Sequence, residues 1–301
     1  MKIPLPPVPL PDAVADVARE YVDGTRTPVE PRQAATVILL AETHDADQSD
    51  ETGGGPEVYY LRRQVSMDFA AGMAVFPGGG VDRRDFDAEV AWAGPTPAEW
   101  AVRLSCGEDL ARALVCAAVR ETFEESGVLL AGPAADSDTT VVADTTGDDW
   151  EADRVALESR ELSLTDFLNR RELELRSDLL GVWDAWLTPI FEPKRYETWF
   201  FVAKLPEGQR TRDVSTESSS VAWLRAGTAA AQAESGELAM MPPTYLTSLE
   251  IASFSTRDDV LAAAADRTAV MFTPTVEPLG EGFTLSMPDR LRPVLAERRG
   301  R

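Results

Sequence analysis

One segment constrains this chain more than any other, because its spacing predicts a helix with carboxylates along one face. Glu121 is followed by Glu124 and Glu125, so the three side chains are related by i+3 and i+4 spacing. At about 100° per residue they fall on one stripe, and the apolar residues of the same segment fall on the opposite side. The pattern predicts a helix over 109–126 that packs its apolar face on a sheet.

Three carboxylates on one stripe repel each other. A solvated acidic face is the common explanation of such a run; a divalent cation bound by oxygen ligands is the alternative. Two neighbours favour the cation. Gly127 stands where a sharp exit turns the chain back against the helix, and Arg120, one turn before Glu124, can hold that carboxylate in place.

The remaining metal-binding chemistry of the chain is sparse. Its 301 residues include one histidine, His44, and two cysteines, Cys106 and Cys116, without a CxxC pair. A zinc site and a disulfide scaffold are therefore not expected. We interpret His44, which lies in a polar run, as an exposed loop residue, so a Ser-His-Asp hydrolase is not expected either.

The charge of the chain limits its partners. A formal net charge of −22 makes nucleic acid a poor partner, and an anionic substrate would need a local basic patch or a metal ion. No apolar run approaches the about 18 residues of a membrane-spanning helix, and prolines interrupt the first residues. We expect no membrane partner and a cytoplasmic location, and leave the oligomeric state open.

The carboxylate segment also resembles a known motif. The run 120–128, Arg-Glu-Thr-Phe-Glu-Glu-Ser-Gly-Val, resembles the second half of the Nudix box, Arg-Glu-apolar-x-Glu-Glu-x-Gly-apolar. The run 76–79, Phe-Pro-Gly-Gly, resembles its first half, in which a glycine loop precedes the helix. We expect the backbone of this loop to approach the helix closely. The usual box places that glycine fourteen residues before the arginine, whereas Gly79 lies 41 residues before Arg120. About 27 residues are therefore inserted.

The insertion leaves one box position open. The middle glutamate of the box would align with Arg112, which is not acidic. Glu108 and Asp82 are the candidates for its role.

A split box is similar to that of the Nudix branch typified by the peroxisomal coenzyme A diphosphatases. Later segments resemble the branch too: Trp186-Leu187-Thr188-Pro189, Lys194-Arg195-Tyr196-Glu197-Thr198-Trp199-Phe200-Phe201, Trp223-Leu224 and Met241-Pro242-Pro243-Thr244. The run from Gly72 to Gly79 matches the Gly-x-x-x-Phe-Pro-Gly-Gly part of the coenzyme A signature. The arginine expected four residues before that first glycine is Asp68 here.

The resemblance implies an α/β fold, namely a Nudix-type α/β/α sandwich with a mixed sheet, enlarged by an insertion in the box and by extra C-terminal helices. We expect an extended lead-in at 1–33, a hydrolase domain at 34–255 with the insertion at about 83–108, and a C-terminal extension at 256–301 packed on the same domain. Because the stretch Arg84–Gly107 is polar and rich in turns, it should affect substrate preference more than folding.

The resemblance also implies a set of metal ligands and catalytic groups. Glu121, Glu124 and Glu125 are the expected ligands of Mg²⁺ or Mn²⁺, with Glu121 either a ligand or the base. Arg120 is placed with the catalytic groups. Glu217, six residues before Trp223, is either a base or water-positioning group or an exposed loop acid.

A phosphate-facing surface is expected beside these carboxylates. The candidates for substrate binding are the arginines and loop glycines Arg62, Arg63, Gly78, Gly79 and Arg195. Arg195 is preferred over Lys194 because its Arg-Tyr-Glu-Thr run resembles the branch.

The implied activity is metal-dependent cleavage of a diphosphate linkage in a small nucleoside-diphosphate-linked substrate, with coenzyme A or an acyl-CoA as one candidate. Nucleotide sugars and dinucleotides are alternatives within the same enzyme class. A non-catalytic nucleotide-binding or regulatory Nudix module is the alternative outside it. A DNA-binding regulator should carry a basic helix-turn-helix, but the residues after Val221 are not notably basic until Arg290, so the enzyme is favoured.

Overall fold

The structure is a computed structural model that describes residue 6 and residues 9–42, 54–64, 70–135 and 140–300. Asp68 and His44 lie outside the described residues. None of the helices in these ranges is long and apolar enough to cross a membrane.

The helices, in chain order, are α1 (Asp12–Val22), α2 (Pro97–Leu104), α3 (Glu108–Ser126), α4 (Asp148–Glu158), α5 (Leu164–Arg170), α6 (Ala226–Ser235), α7 (Pro242–Ile251), α8 (Arg257–Ala265) and α9 (Arg292–Arg299). The strands are β1 (Arg32–Ala41), β2 (Glu57–Arg63), β3 (Ala74–Val75), β4 (Gly78–Gly80), β5 (Trp92–Ala93), β6 (Ala131–Pro133), β7 (Leu173–Arg176), β8 (Leu180–Leu187), β9 (Tyr196–Lys204), β10 (Ser218–Arg225), β11 (Met271–Phe272), β12 (Val276–Leu279) and β13 (Gly282–Leu285). Short 3-10 helices occupy Arg83–Phe86, Ser177–Leu179 and Asp289–Leu291.

The main sheet is mixed and is buried on both faces. Its strand order is β10-β2-β1-β9-β8-β11, with β3 beside β2 and β4 beside β1. Strand β1 runs parallel to β9 and antiparallel to β2. Val37 and Leu39 of β1 join the core that contains α3, whereas Ile38 and Leu40 join the core that contains α6, α7 and α8. Because side chains alternate along a strand, the sheet lies between two helical layers, and the α/β/α sandwich is confirmed.

Helix α3 is the predicted carboxylate helix. It begins one residue earlier than expected, with Gly107 at its N-cap, and ends at Ser126, followed by Gly127 at a φ of 73°. Glycine adopts this left-handed conformation without steric cost, so the helix stops here. Phe123 is fully buried and stacks on Phe167 of α5 at a centroid distance of 5.4 Å. Glu121, two residues earlier and so on nearly the opposite side of the helix, faces the glycine loop.

The insertion in the box belongs to the core rather than to the surface. In α2, Trp100 is 0% exposed and Leu104 is 1% exposed. The indole Nε1 of Trp199 donates to the carbonyl of Leu104 at 3.0 Å, and β5 pairs with β7. These buried contacts argue against the prediction that Arg84–Gly107 affects substrate preference more than folding, because apolar side chains at helical spacing lie among its turn residues.

The lead-in differs from the expected extended segment because it contains α1. Its prolines lie before Asp12 and after Val22, so none interrupts the helix. Ala15 and Ala18 are buried. Leu10 forms a bridge to Phe283 near the other end of the chain.

The segment after residue 255 continues the same body. Strand β11 pairs in parallel with β8 at the edge of the main sheet. The guanidinium groups of Arg267 and Arg290 both donate to Glu250 of α7, and Arg290 also pairs with Asp184 of β8. These ion pairs attach the C-terminal segment to the sheet and to α7.

Candidate active site

Arg120 is the centre of the carboxylate face of α3. Its side chain is buried, and its guanidinium donates to both carboxylate oxygens of Asp85 at 3.0 and 2.9 Å. The same group donates to Glu124 at 3.2 and 3.1 Å and to Glu121 at 2.8 Å. The predicted pairing of Arg120 with Glu124 is confirmed, and the orientation of both glutamates depends on one arginine.

Asp85 is a site residue that was not predicted from the sequence. It is 2% exposed, and it also accepts a hydrogen bond from the backbone N–H of Asp82 at 2.7 Å. The two candidates for the middle box position are engaged elsewhere: Asp82 pairs with Arg84, and Glu108 pairs with Arg112. Asp85 takes that position, since it holds Arg120 from the side opposite Glu124.

A signal for Asp85 was present in the spacing. The middle acid of the usual box stands six residues after the glycine, and Asp85 stands six residues after Gly79. The residue eight positions before Arg120, where the usual box has its middle acid, is Arg112, because the insertion lies between Asp85 and Arg120. The insertion therefore lies after the middle acid. The spacing of six residues between the glycine and this acid is the same as in the usual box.

The glycine loop approaches the helix closely, as expected. The backbone N–H of Gly78 donates to Glu125 at 2.7 Å. A Cβ atom on Gly79 would lie 2.5 Å from a carboxylate oxygen of Glu121, so no larger residue is accommodated without displacing that side chain. Strand β4, which contains the loop glycines, pairs with β1, and this pairing fixes the position of the loop beside α3.

Burial dominates the electrostatics of this face. It raises the pKa of Glu121, raises the pKa of Glu125 well above its ordinary value, and raises the pKa of Glu124 to about 7, although Arg120 opposes the shift at Glu121 and Glu124. Repulsion among the carboxylates acts in the same direction. The site therefore has more acidic groups than Arg63 and Arg120 keep ionised.

These residues fit a hard divalent cation by chemistry and by charge. Within the described ranges, no group of three acidic, histidine or cysteine side chains is already arranged to hold a metal ion. Arg120 and the Gly78 N–H instead hydrogen-bond these carboxylates. The donors are carboxylates alone, which suits Mg²⁺ or Mn²⁺. An added cation would supply the positive charge that the buried carboxylates lack.

Glu217 immediately precedes β10, the strand that pairs with β2. Its carboxylate accepts from Arg63 Nη2 at 2.8 Å, and the two side chains are 51% and 19% exposed. The pairing of β10 with β2 brings them together. The negative charge of Glu217 also raises the pKa of Glu121 and of Glu125, so this acid belongs to the same site.

Two of the predicted substrate-binding arginines are not at the site. Arg195 is buried, and its guanidinium donates to the carbonyls of Val29 and Thr188 at 3.1 Å each. It joins two loops. Arg62 is exposed and donates to the carbonyl of Gly72 at 3.3 Å. Because successive side chains of a strand point to opposite faces, Arg63 and Arg62 cannot face the same cavity, and Arg63 is the one that does.

A cavity of about 1040 Å³ connects this face to an apolar region. Glu121, Glu217, Arg63, Gly78 and Gly79 line the polar end. The other end is lined mainly by large apolar side chains, among them Phe76, Trp186, Phe200, Met241, Leu246 and Met287. The cavity therefore accepts a ligand with one strongly anionic part and one apolar part.

The raised pKa of Glu124 gives the metal-free protein a pH-dependent stability. Its pKa of about 7 lies above the ordinary value near 4.5, so the contribution is fully present below that ordinary value and is lost as pH rises through 7. In EDTA, the melting temperature is expected to fall between about pH 5 and pH 8, and excess Mg²⁺ at pH 8 should recover it. Glu124→Gln should flatten the profile; an equally steep profile in that variant would assign the effect to other groups.

The fold and the site agree with the class that the resemblance to the Nudix box indicates. A mixed sheet lies between two helical layers, and the three glutamates lie beside a glycine loop and a buried arginine. A model of the NUDT19 Nudix domain matches residues 104–250. The crystal structure of a Nudix hydrolase from Alicyclobacillus acidocaldarius is similar at a TM-score of 0.61 and 23% identity, over 78% of this chain and 96% of that one, and it supports the fold.

Relatives of known name agree with this class. The acyl-coenzyme A diphosphatase NUDT19 of Homo sapiens is 27% identical over 274 residues, or 76% of this chain and 70% of that protein. The Gallus gallus protein of the same name is 26% identical over 87% of this chain and 80% of its own length. The putative nudix hydrolase 7 of Caenorhabditis elegans is 25% identical over 70% of this chain, and the match spans 57% of that protein. The chain is similar to these Nudix hydrolases over 70–87% of its length.

Proposed function

We propose that this chain is a divalent-metal-dependent hydrolase that cleaves the diphosphate linkage of coenzyme A or of an acyl-CoA. The observation that carries the proposal is the single cavity that joins Glu121 and Glu217 to an apolar end beside Trp186 and Met241. Such a cavity suits a molecule with a diphosphate in its middle and a long, weakly polar arm. The names of the NUDT19 relatives point to the same substrate class.

The metal would be held on α3. Glu124 and Glu125 are the principal ligands in this proposal, and Glu121 is a further ligand or the base. Mg²⁺ or Mn²⁺ bound there would neutralise diphosphate oxygens and lower the pKa of a bound water.

The chain's own groups orient this set. Arg120 donates to Asp85, Glu121 and Glu124, and so holds the Glu124 carboxylate beside Glu121. The Gly78 N–H holds the Glu125 carboxylate beside the glycine loop. These contacts fix the carboxylates before a substrate arrives, which lowers the cost of ordering them during the reaction.

Glu217 also lines the cavity, as do Glu121 and Glu192. Arg63 holds its carboxylate at 2.8 Å, so the group can orient the attacking water or accept its proton. Glu121 is the other candidate for the base, since it lines the same cavity.

The apolar end accounts for the remaining part of the substrate. Leu187, Met241 and Leu285 line the cavity and are partly exposed. A pantetheine arm and an acyl chain would lie along this wall and bury its apolar surface. A nucleotide sugar would leave it uncovered.

Metal dependence is tested together with the substrate. Activity is expected to disappear in EDTA and to return with Mg²⁺ or Mn²⁺. Coenzyme A should be cleaved to 4′-phosphopantetheine and adenosine 3′,5′-bisphosphate, identified by mass spectrometry, with nucleotide sugars and dinucleotides as parallel substrates. Turnover that persists in EDTA would contradict the metal mechanism. Cleavage of a nucleotide sugar but not of coenzyme A would contradict the substrate and leave the enzyme class intact.

A further inference from the structure

Three arginines at the cavity stand apart from the carboxylate site. Arg32, Arg83 and Arg160 are exposed and line the same cavity as Glu121 and Glu217. They come from the first residue of β1, from the 3-10 helix after the glycine loop, and from the turn after α4. We call this group the arginine rim.

The arginines of the carboxylate site already pair with acidic side chains, so their positive charge is not available to a second anion. Arg120 is bound by Asp85, Glu121 and Glu124, and Arg63 is bound by Glu217. By contrast, the side chains of Arg32 and Arg83 make no hydrogen bond or ion pair with the part of the chain that the structure describes. In a chain with a net charge of −22, such cations mark a local attraction for anions.

Backbone contacts bring the three segments together. The N–H of Val81 donates to the carbonyl of Gln33 at 2.9 Å, which places the start of β1 beside the segment that leads into Arg83. The Arg84 guanidinium donates to the carbonyl of Arg160 at 2.9 Å. The rim is therefore held by contacts that do not use its own guanidinium groups.

Arg160 has an unusual backbone for its residue type. Its φ is 64°, in the left-handed region that favours glycine. Its side chain is 77% exposed, and its one ion pair with the described residues is a 3.7 Å contact with Asp82, a carboxylate that Arg84 holds more closely at 3.1 Å. A long cationic side chain thus occupies a position where glycine would be less strained, and strain of this kind is concentrated at functional sites.

We propose that the arginine rim binds a second anionic group of the substrate, a phosphomonoester separate from the diphosphate. The inference rests on the proposed function, because it takes the diphosphate to lie at the carboxylate end of the same cavity. A phosphomonoester carries close to two negative charges, and guanidinium groups bind phosphate through paired N–H donors. The rim would select substrates that carry this group over those that lack it.

The test measures binding of two nucleotides that differ by one phosphate. Adenosine 3′,5′-bisphosphate and adenosine 5′-monophosphate are titrated calorimetrically in Mg²⁺ into the full chain and into Arg83→Ala/Arg160→Gly. The wild-type chain is expected to bind the bisphosphate about tenfold more tightly, and the double variant should lose that preference to within about twofold. Because glycine accepts the left-handed backbone, the melting temperature of the double variant should not fall.

Arg210→Ala is the matched control, since Arg210 is an exposed arginine that does not line the cavity. It changes the net charge in the same direction and should leave the preference in place. Equal affinities of the wild-type chain for the two nucleotides would overturn the proposal that the rim binds a phosphomonoester. A preference for the bisphosphate that survives in the double variant would overturn it as well. Arg83→Ala alone decides the question if the double variant does not fold.

Binding and turnover separate the two proposals. A chain that prefers the bisphosphate through the rim but cleaves no diphosphate compound would support the rim and refute the hydrolase. A chain that cleaves coenzyme A and 3′-dephospho-coenzyme A with equal kcat/KM, before and after the double substitution, would refute the rim and leave the hydrolase standing.

Discussion

Glu125→Gln is expected to lower kcat/KM by about a hundredfold or more while the protein stays folded. The substitution keeps the shape of the side chain and an oxygen that can accept from the Gly78 N–H, but it removes one ligand charge. Because burial already raises the pKa of Glu125 well above its ordinary value, loss of the charge should not lower the melting temperature of the metal-free protein. Steady-state kinetics in Mg²⁺ and a thermal melt in EDTA measure the two effects.

Glu161→Gln is a suitable control, because Glu161 is exposed and does not line the cavity. It should leave both quantities unchanged. If Glu125→Gln kept turnover within about threefold of the wild-type value, which is less than about 1 kcal/mol in barrier, Glu125 would not be a metal ligand.

Trp100→Ala is expected to destabilise the protein by about 3–5 kcal/mol, since removal of a buried aromatic side chain leaves a cavity. Trp100 is 0% exposed, packs edge-on against Phe201 at a centroid distance of 5.8 Å, and lies under the guanidinium of Arg103. It belongs to the insertion, so the experiment asks whether the insertion is part of the folding unit. Urea unfolding followed by circular dichroism measures the change.

Val102→Ala on the same helix provides the comparison. Val102 is 75% exposed, so its truncation should change stability by less than about 0.5 kcal/mol. An equally small effect of Trp100→Ala would show that α2 is peripheral to folding and would restore the insertion as a loop concerned with specificity.

The carboxylate face was predictable because its determinants are local. Helical periodicity fixes the relation of Glu121, Glu124 and Glu125, and the i+4 spacing fixes the pairing of Arg120 with Glu124. The close approach of the glycine loop was expected from Gly78 and Gly79, where a side chain would meet the neighbouring strand or α3. The sandwich of helices and mixed sheet followed from the same motif.

The rest of the site depends on contacts that the sequence spacing does not show. Arg195 carries a motif resemblance, but its direction is set by carbonyls of two loops that are distant in sequence. Asp85 was missed because the insertion obscured its spacing to Arg120. Arg63 lines the cavity and Arg62 does not. Which of the two does so depends on the face of β2 that meets the cavity, and strand pairing rather than residue type determines that face.

Part of the cavity wall comes from segments that are widely separated along the chain. Arg32 and Gln33, the first turn of α7, Leu285 at the end of β13, and Met287 all line the cavity, and Leu10 is bridged to Phe283. A ligand that contacts these segments together would act as a reversible cross-link between the first strand and the last hairpin. Because binding to the folded state stabilises it in proportion to occupancy, such a ligand would also stabilise the C-terminal hairpin against local unfolding.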